Sequence, residues 1–331
     1  LSSVGARGGV LYGFNTAGAV FGVWAAGFVL LPWLGVRGSE LVGVGANVLV
    51  GIIALVWSAR TTTQAVEDDR EERQEEYGLL DIEEDPDLAG GRGIRLAGLV
   101  PWVLGVSGAC SMIFEVAWTR FLALILGSSV YAFTLMLTAF LLGHAAGALV
   151  SSAMLRSPKS RPLRTMKLAL FGAGISAFGT NHLFQFLPYW YVDAYALIGG
   201  HDAGVWFVHG AIAVLVMTPT TFFIGMLFPI GLRLVSRTSQ GVARDVARVY
   251  SANTFGAVVG SPLAGFLLIP VIGIQDAIRL AVLLQLSAAA VVSWQRVSLP
   301  ARRFGTAAAA GLAGLVLFAA PPWDPLLMSA G

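Results

Sequence analysis

One 27-residue stretch occurs twice in this chain. Val249–Gln275 reads VYSANTFGAVVGSPLAGFLLIPVIGIQ, and Leu11–Arg37 reads LYGFNTAGAVFGVWAAGFVLLPWLGVR, 238 positions earlier. Aligned without a gap, the copies agree at 13 of 27 positions: a Tyr, an Asn-Thr pair, Gly-Ala-Val, a Gly, Ala-Gly-Phe, a Leu, a Pro and a Gly. Self-similarity at a fixed offset sets architecture before any local pattern does. The chain is therefore expected to hold the end of one structural unit and most or all of a second.

Both copies are too apolar for a water-soluble surface, and the whole chain follows them. It is 56% hydrophobic and 12% charged, with a mean hydropathy of +0.75, where soluble domains carry about 25% charged residues. About 20 apolar residues cross a bilayer core, and backbone groups inside lipid must bond within their own helix. Nine stretches are long enough: 9–35, 39–59, 97–118, 129–155, 165–190, 203–231, 248–273, 276–295 and 304–322. The expected fold class is all-α, a polytopic transmembrane helix bundle of about nine spans.

Alternating sides across nine spans places 18 of the 21 Lys and Arg residues on one side, leaving only Arg37, Arg120 and Arg279 on the other. Positive loops mark the cytoplasmic face. The N-terminus and the basic loops are thus expected inside, in a bacterial inner (cytoplasmic) membrane, and the two copies run the same way, as a parallel repeat. The expected domains are 1–59, the last two helices of a first repeat; 60–96, an acidic cytoplasmic linker; 97–295, a second six-helix repeat; and 296–331, an extra helix with a lead-in to a soluble domain. By symmetry about four further helices are expected ahead of Leu1.

The linker holds 12 of the 19 acidic residues. Such a run is a solvated connection or a contact for a basic partner, so the acidic stretch 67–87 and the glycine stripes are the expected protein contacts, beside the lipid bilayer itself. The basic loop 156–164 has no interleaved aromatics, which speaks against nucleic acid. Phosphate-binding, zinc-protease, serine-hydrolase and Cys-pair motifs are all absent from the sequence. No catalytic residue, metal ligand or cofactor is expected in this chain. Cys110 is its one cysteine.

Within the repeat, Gly18 and Gly22, like Gly256 and Gly260, lie four residues apart and make flat stripes for close helix approach. Asn15 and Asn253 lie one turn earlier; they either bond across helices or face a central cavity as a pseudo-symmetric pair. Ionisable groups inside a membrane are costly and so informative. Glu115 is one, with Trp118 three and Arg120 five residues on. They form either a structural Glu–Arg pair or a cation site in which Glu115 supplies charge and Trp118 an aromatic wall. His144, in LLGHAAGAL, is either a satisfied buried histidine or a proton relay. The stretch 218–234, with Pro219, Gly225, Pro229 and Gly231, is expected to interrupt its helix.

These motifs together resemble the membrane region of bacterial fused proteins that join a major-facilitator-like helical part to a spermidine-synthase-like domain. The resemblance rests on Gly108, Glu115, Trp118, Arg120 and Leu122, followed by Gly127-Ser128-Ser129-Val130-Tyr131-Ala132-Phe133. It also rests on the Tyr-x-x-Asn-Thr-x-Gly-Ala-x-x-Gly element at Tyr250–Gly260 and again at Tyr12–Gly22, and in part on Pro219, Gly225, Phe228 and Pro229. It implies a parallel-repeat bundle similar to the major facilitator superfamily. Two functions follow as expectations. One is a module that transports or presents a small cationic metabolite such as a polyamine, with Glu115, Trp118, Arg120 and His144 as candidate binding residues. The other is a non-transporting structural subunit or anchor in a larger assembly. Any aminopropyltransferase activity would lie beyond residue 331.

Overall fold

The computed structural model describes residues 2–60, 91–157, 160–198, 202–235, 242–294 and 323. Within them the chain is helical: α1 (Ser2–Ala25), α2 (Leu31–Arg60), α3 (Gly91–Leu126), α4 (Val130–Leu155), α5 (Pro162–Leu183), α6 (Leu187–Ile198), α7 (Asp202–Val235), α8 (Val242–Pro262) and α9 (Ile269–Trp294). No strand occurs among the described residues. Five stretches are long and apolar enough to cross a membrane: Val10–Ser58, Gly98–Leu126, Val130–Leu155, Ala203–Val235 and Arg244–Trp294. Residues 61–90 of the linker and the segment 304–322 lie outside the described residues; 91–96, read as linker, begin α3.

The first and last of these stretches are 49 and 51 residues long. A straight helix of that length would reach roughly 70 Å, more than twice a hydrocarbon core of about 30 Å. Each is split by a glycine, Gly35 at φ 67° and Gly273 at φ 81°, a region where an L side chain is strained. The two glycines are 238 residues apart, the offset of the sequence repeat. The same offset relates two π-helical turns, Ala26–Leu30 and Leu263–Leu268. Pro32 and Pro270 follow them. A proline ring crowds the carbonyl four residues back, here Phe28 and Phe266, and a π turn widens the ladder there. The prolines are thus accommodated inside the helix, and the chain turns at the glycine three residues later.

α7 is likewise one helix from Asp202 to Val235 with Pro219 and Pro229 inside it, so the interruption expected at 218–234 does not occur. Neighbouring hydroxyls supply bonds around Pro219. Thr221 Oγ1 donates to Met217 O at 2.9 Å, and Thr218 Oγ1 donates to Ala139 O of α4 at 3.1 Å. Side-chain bonds of this kind let proline persist in membrane helices.

Glycines seat the helices on one another. The α4–α7 contact is the most extensive in the bundle. A Cβ at Gly147 would collide with Phe222 O, and one at Gly225 with His144 O. α8 lies on α3 in the same manner: a Cβ at Gly256 would collide with Gly105 O, and at Gly260 it would stand 2.5 Å from Ala109 O. Around these seams lie two cores, one centred on Phe114, Trp118, Phe121 and Phe184, the other on Leu104, Met166, Leu170 and Ile230. Trp323 closes the first. Its ring is 4.8 Å from Phe121 and 5.3 Å from Phe184, its backbone N–H donates to Gln275 Oε1 at 3.3 Å, and its indole N–H donates to Asn181 O at 3.4 Å.

The first repeat copy is packed differently. Gly18 and Gly22 are exposed and meet nothing within 4 Å among the described residues. α1 instead rests on α4 through Gly13 against Leu149 and Gly27 against Thr134. Gly256→Leu is therefore expected to destabilise by about 3 kcal/mol or more, since overpacking costs about 1–3 kcal/mol even where side chains can yield and here the obstacle is backbone. Gly18→Leu is expected to leave the thermal unfolding midpoint of the purified chain in detergent unchanged. Tryptophan fluorescence during heating checks both.

Candidate functional site

Between the repeat copies lies a cavity of about 260 Å³. Five helices line it: α1 with Tyr12, Asn15, Thr16 and Ala19; α3 with Ser107, Gly108, Ser111 and Met112; α4 with Phe140, Leu141 and His144; α7 with Ile224, Leu227 and Phe228; and α8 with Asn253 and Ala257. Asn15 and Asn253, and Ala19 and Ala257, are repeat-equivalent pairs, each 238 residues apart. Phe228 sits between the repeat-equivalent tyrosines, stacked on Tyr12 at 4.7 Å and edge-on to Tyr250 at 6.2 Å.

The glycine seams bring these groups together. Gly225 lies under the His144 backbone, and Gly108 lies over Asn253, whose carbonyl and side-chain oxygens would both crowd a Cβ there. A larger residue at either glycine would push a polar group out of the cavity wall.

His144 is held by two bonds. Its Nδ1 is 3.2 Å from Phe140 O, and its Nε2 is 3.5 Å from Ser111 Oγ. A carbonyl only accepts, so in the neutral ring Nδ1 carries the proton and Nε2 is left as an acceptor beside the Ser111 hydroxyl. Ser107 Oγ is buried with no hydrogen-bond partner among the described residues, although it too lines the cavity. The wall thus offers amide, hydroxyl and imidazole groups, all neutral, between aromatic faces. It suits a small polar ligand that hydrogen-bonds and stacks.

The other sequence candidates lie apart from the cavity. Glu115 is half-buried on α3, one turn (about 6 Å) beyond Ser111, and makes no hydrogen bond or ion pair among the described residues. α3 runs unbroken through Trp118, so Arg120 does not meet Glu115. Arg120 is exposed, and its Nη2 donates to Gly265 O at 3.3 Å, tying α3 to the π turn of the second copy. Trp118 is fully buried in the core, stacked 5.0 Å from Phe114, and its indole nitrogen has no hydrogen-bond partner.

Residues that the sequence reading passed over are Tyr12, Ser107, Ser111 and Phe228. Tyr12 was visible as a match between the copies. Ser107 and Ser111 are four apart in a small-residue run, the spacing that puts two hydroxyls on one helix face.

The described chain is thus all-helical, with five stretches apolar enough to cross a membrane and a polar cavity lined by residues of both copies of the sequence repeat. No family model matches it, and no solved structure matches it. It is similar to the polyamine aminopropyltransferase of Oceanobacillus iheyensis, with 26% identity over 212 residues, which make up 61% of this chain and 36% of that protein. The chain therefore spans little more than a third of that relative's length. The likeness is partial and points to a spermidine-synthase-like link.

A cavity that admits polar molecules should admit small thiol reagents. Cysteine placed at Asn253 or Ala257 is expected to react with a small methanethiosulfonate, while the buried Cys110 stays unmodified. Mass spectrometry of the intact protein reads both.

Proposed function

We propose that this chain is the integral membrane module of a spermidine-synthase-like fused protein and that its cavity transports or presents a small cationic metabolite such as a polyamine. One observation carries the reading: the cavity is walled by equivalent residues of two repeat copies, the arrangement in which transporters built from repeats place their substrates. The partial likeness to an aminopropyltransferase supplies the substrate class. Asn15, Asn253 and Ser111 offer oxygens to ammonium groups, and Tyr12 and Phe228 offer ring faces for cation–π contact. Glu115, one turn along α3, supplies the opposite charge, and it makes no ion pair among the described residues.

The topology that goes with this reading has about nine passes. Gly35 and Gly273 divide the two longest stretches into two passes each, α5 adds one, and 304–322 supplies the last. The repeat is parallel and major-facilitator-like, with the N-terminus and basic loops on the cytoplasmic side of a bacterial inner membrane. Glu115, Trp118, Arg120 and His144 divide the work in this reading: His144 in the cavity wall, Glu115 one turn along α3 from it, Trp118 and Arg120 fixing α3.

A second reading, a structural subunit that passes nothing, draws on the open face of α1. Flux separates the two. Liposomes holding the purified protein are expected to take up radiolabelled spermidine faster than protein-free liposomes. Glu115→Gln and the double change Asn15→Leu with Asn253→Leu are each expected to slow uptake about tenfold, a loss of about 1.4 kcal/mol. No uptake above the protein-free level would leave the structural reading standing.

A further inference from the structure

A hydroxyl inside a helix commonly turns back onto a carbonyl of the preceding turn. In this bundle Thr16, Thr134, Ser151, Ser152 and Ser176 all do so. Ser107 and Ser111 of α3 do not. Ser107 is 1% exposed, and its Oγ has no hydrogen-bond partner among the described residues. Ser111 is 4% exposed, and its Oγ stands 3.5 Å from His144 Nε2 of α4, too long to satisfy either atom well. All three side chains line the cavity. Two buried hydroxyls and an imidazole nitrogen therefore hold unused hydrogen-bonding capacity at one end of one volume, and a buried polar group left without a partner is costly.

The chemistry of the three atoms selects what satisfies them. Nδ1 of His144 carries its proton toward Phe140 O, so Nε2 only accepts. An anion brings lone pairs to that lone pair and is rejected. An alcohol brings one donor. A primary ammonium group, R–NH3+, brings three N–H donors. Ser107 and Ser111 lie one helical turn apart on the same face of α3, about 6 Å along its axis, so a nitrogen placed between them is about 3 Å from each oxygen. We propose that Ser107, Ser111 and His144 form a three-point subsite for an unsubstituted primary ammonium group, and that this subsite makes the cavity selective for primary amines over N-alkylated ones. Glu115 continues the same four-residue spacing along α3, which places a carboxylate one turn beyond the subsite and favours a cation there over a neutral amine or alcohol. The inference rests on the polyamine reading and narrows it to the end of the guest that is recognised. A dimethylated terminus keeps the charge but has one N–H, so it leaves two of the three acceptors unpaired, and sites built to hydrogen-bond a guest discriminate strongly against analogues lacking the donor.

Isothermal titration calorimetry of the purified protein in detergent tests this with two probes, 1,4-diaminobutane and its N,N,N′,N′-tetramethyl analogue. The diamine is expected to bind at least about tenfold more tightly than the tetramethyl compound, the difference two charge-assisted hydrogen bonds make at their weakest. The double change Ser107→Ala with Ser111→Ala is expected to bring the diamine down to the level of the tetramethyl analogue and to leave binding of that analogue unchanged, which also shows that the variant is folded. His144→Leu is expected to reduce the same selectivity, and His144→Gln, which returns an acceptor oxygen, to restore it. Equal binding of the two probes by the unaltered protein, selectivity that survives the double serine change or His144→Leu, or a loss that strikes both probes alike would each overturn the subsite and leave the polyamine reading standing. No binding of either probe or of spermidine would overturn both.

Discussion

Close approach of helix backbones is the constraint from which this structure follows. Lipid tails are as apolar as leucine, so burying apolar side chains gains little inside a bilayer, and helix association rests on packing. Packing is strongest where no side chain stands between two helices. Gly143, Gly147 and Gly225 achieve this between α4 and α7, and Gly105, Gly108, Gly256 and Gly260 between α3 and α8. The hydroxyls of Thr218 and Thr221 add bonds along or across the α4–α7 seam, and that of Thr180 ties α5 to α7. Each seam holds a polar residue of the cavity in place, His144 over Gly225 and Asn253 under Gly108. The site is a product of the packing that makes the bundle.

The seams also decide which charges are absent from the cavity. A carboxylate in its wall would need a partner among groups that are all neutral, at a cost of several kcal/mol. Glu115 is instead a turn away and half-buried. Arg120 reaches the Gly265 carbonyl, a neutral acceptor on the π turn, whose widened ladder leaves carbonyls free to accept. The one intramembrane carboxylate of α3 is therefore not neutralised by the one arginine near it. That separation leaves Glu115 without an ion-pair partner among the described residues.

Much of this was readable in the sequence, and the failures have identifiable causes. The repeat reads directly, because identity at a fixed offset needs no knowledge of neighbours; it marked Asn15 and Asn253, which line the cavity together. Both copies break at a glycine three residues after the proline, Gly35 and Gly273. Proline only removes a donor and adds a clash, both of which a π turn absorbs, while a positive φ redirects the chain. The helix α7 also continues through its two prolines, with threonine hydroxyls flanking Pro219. Glu115, Trp118 and Arg120 were grouped because they are close in sequence. Three and five residues on a helix point to different neighbours, and only packing shows that Trp118 faces a core and Arg120 a π turn, while Glu115 is half-buried one turn from Ser111. Ser107 and Ser111 were hidden by their resemblance to ordinary small-residue packing.

One sequence in two settings also separates what the chain encodes locally from what its neighbours impose. The π turn and the glycine break appear in both copies, although the first π turn meets α4 through Gly27 against Thr134 and the second meets α3 through Gly265 and Arg120, so the same local sequence keeps its shape against different neighbours. Burial behaves oppositely: Val249 and Leu11 hold the same place in the repeat, and one is enclosed while the other is bare. The copies therefore share an internal geometry but not a set of contacts. Their cavity-facing residues are the exception, since Asn15 and Asn253 reach the same space from opposite sides. A pair related by the repeat can stay equivalent only where both members face one shared volume, and in this bundle that volume is the polar cavity around Phe228.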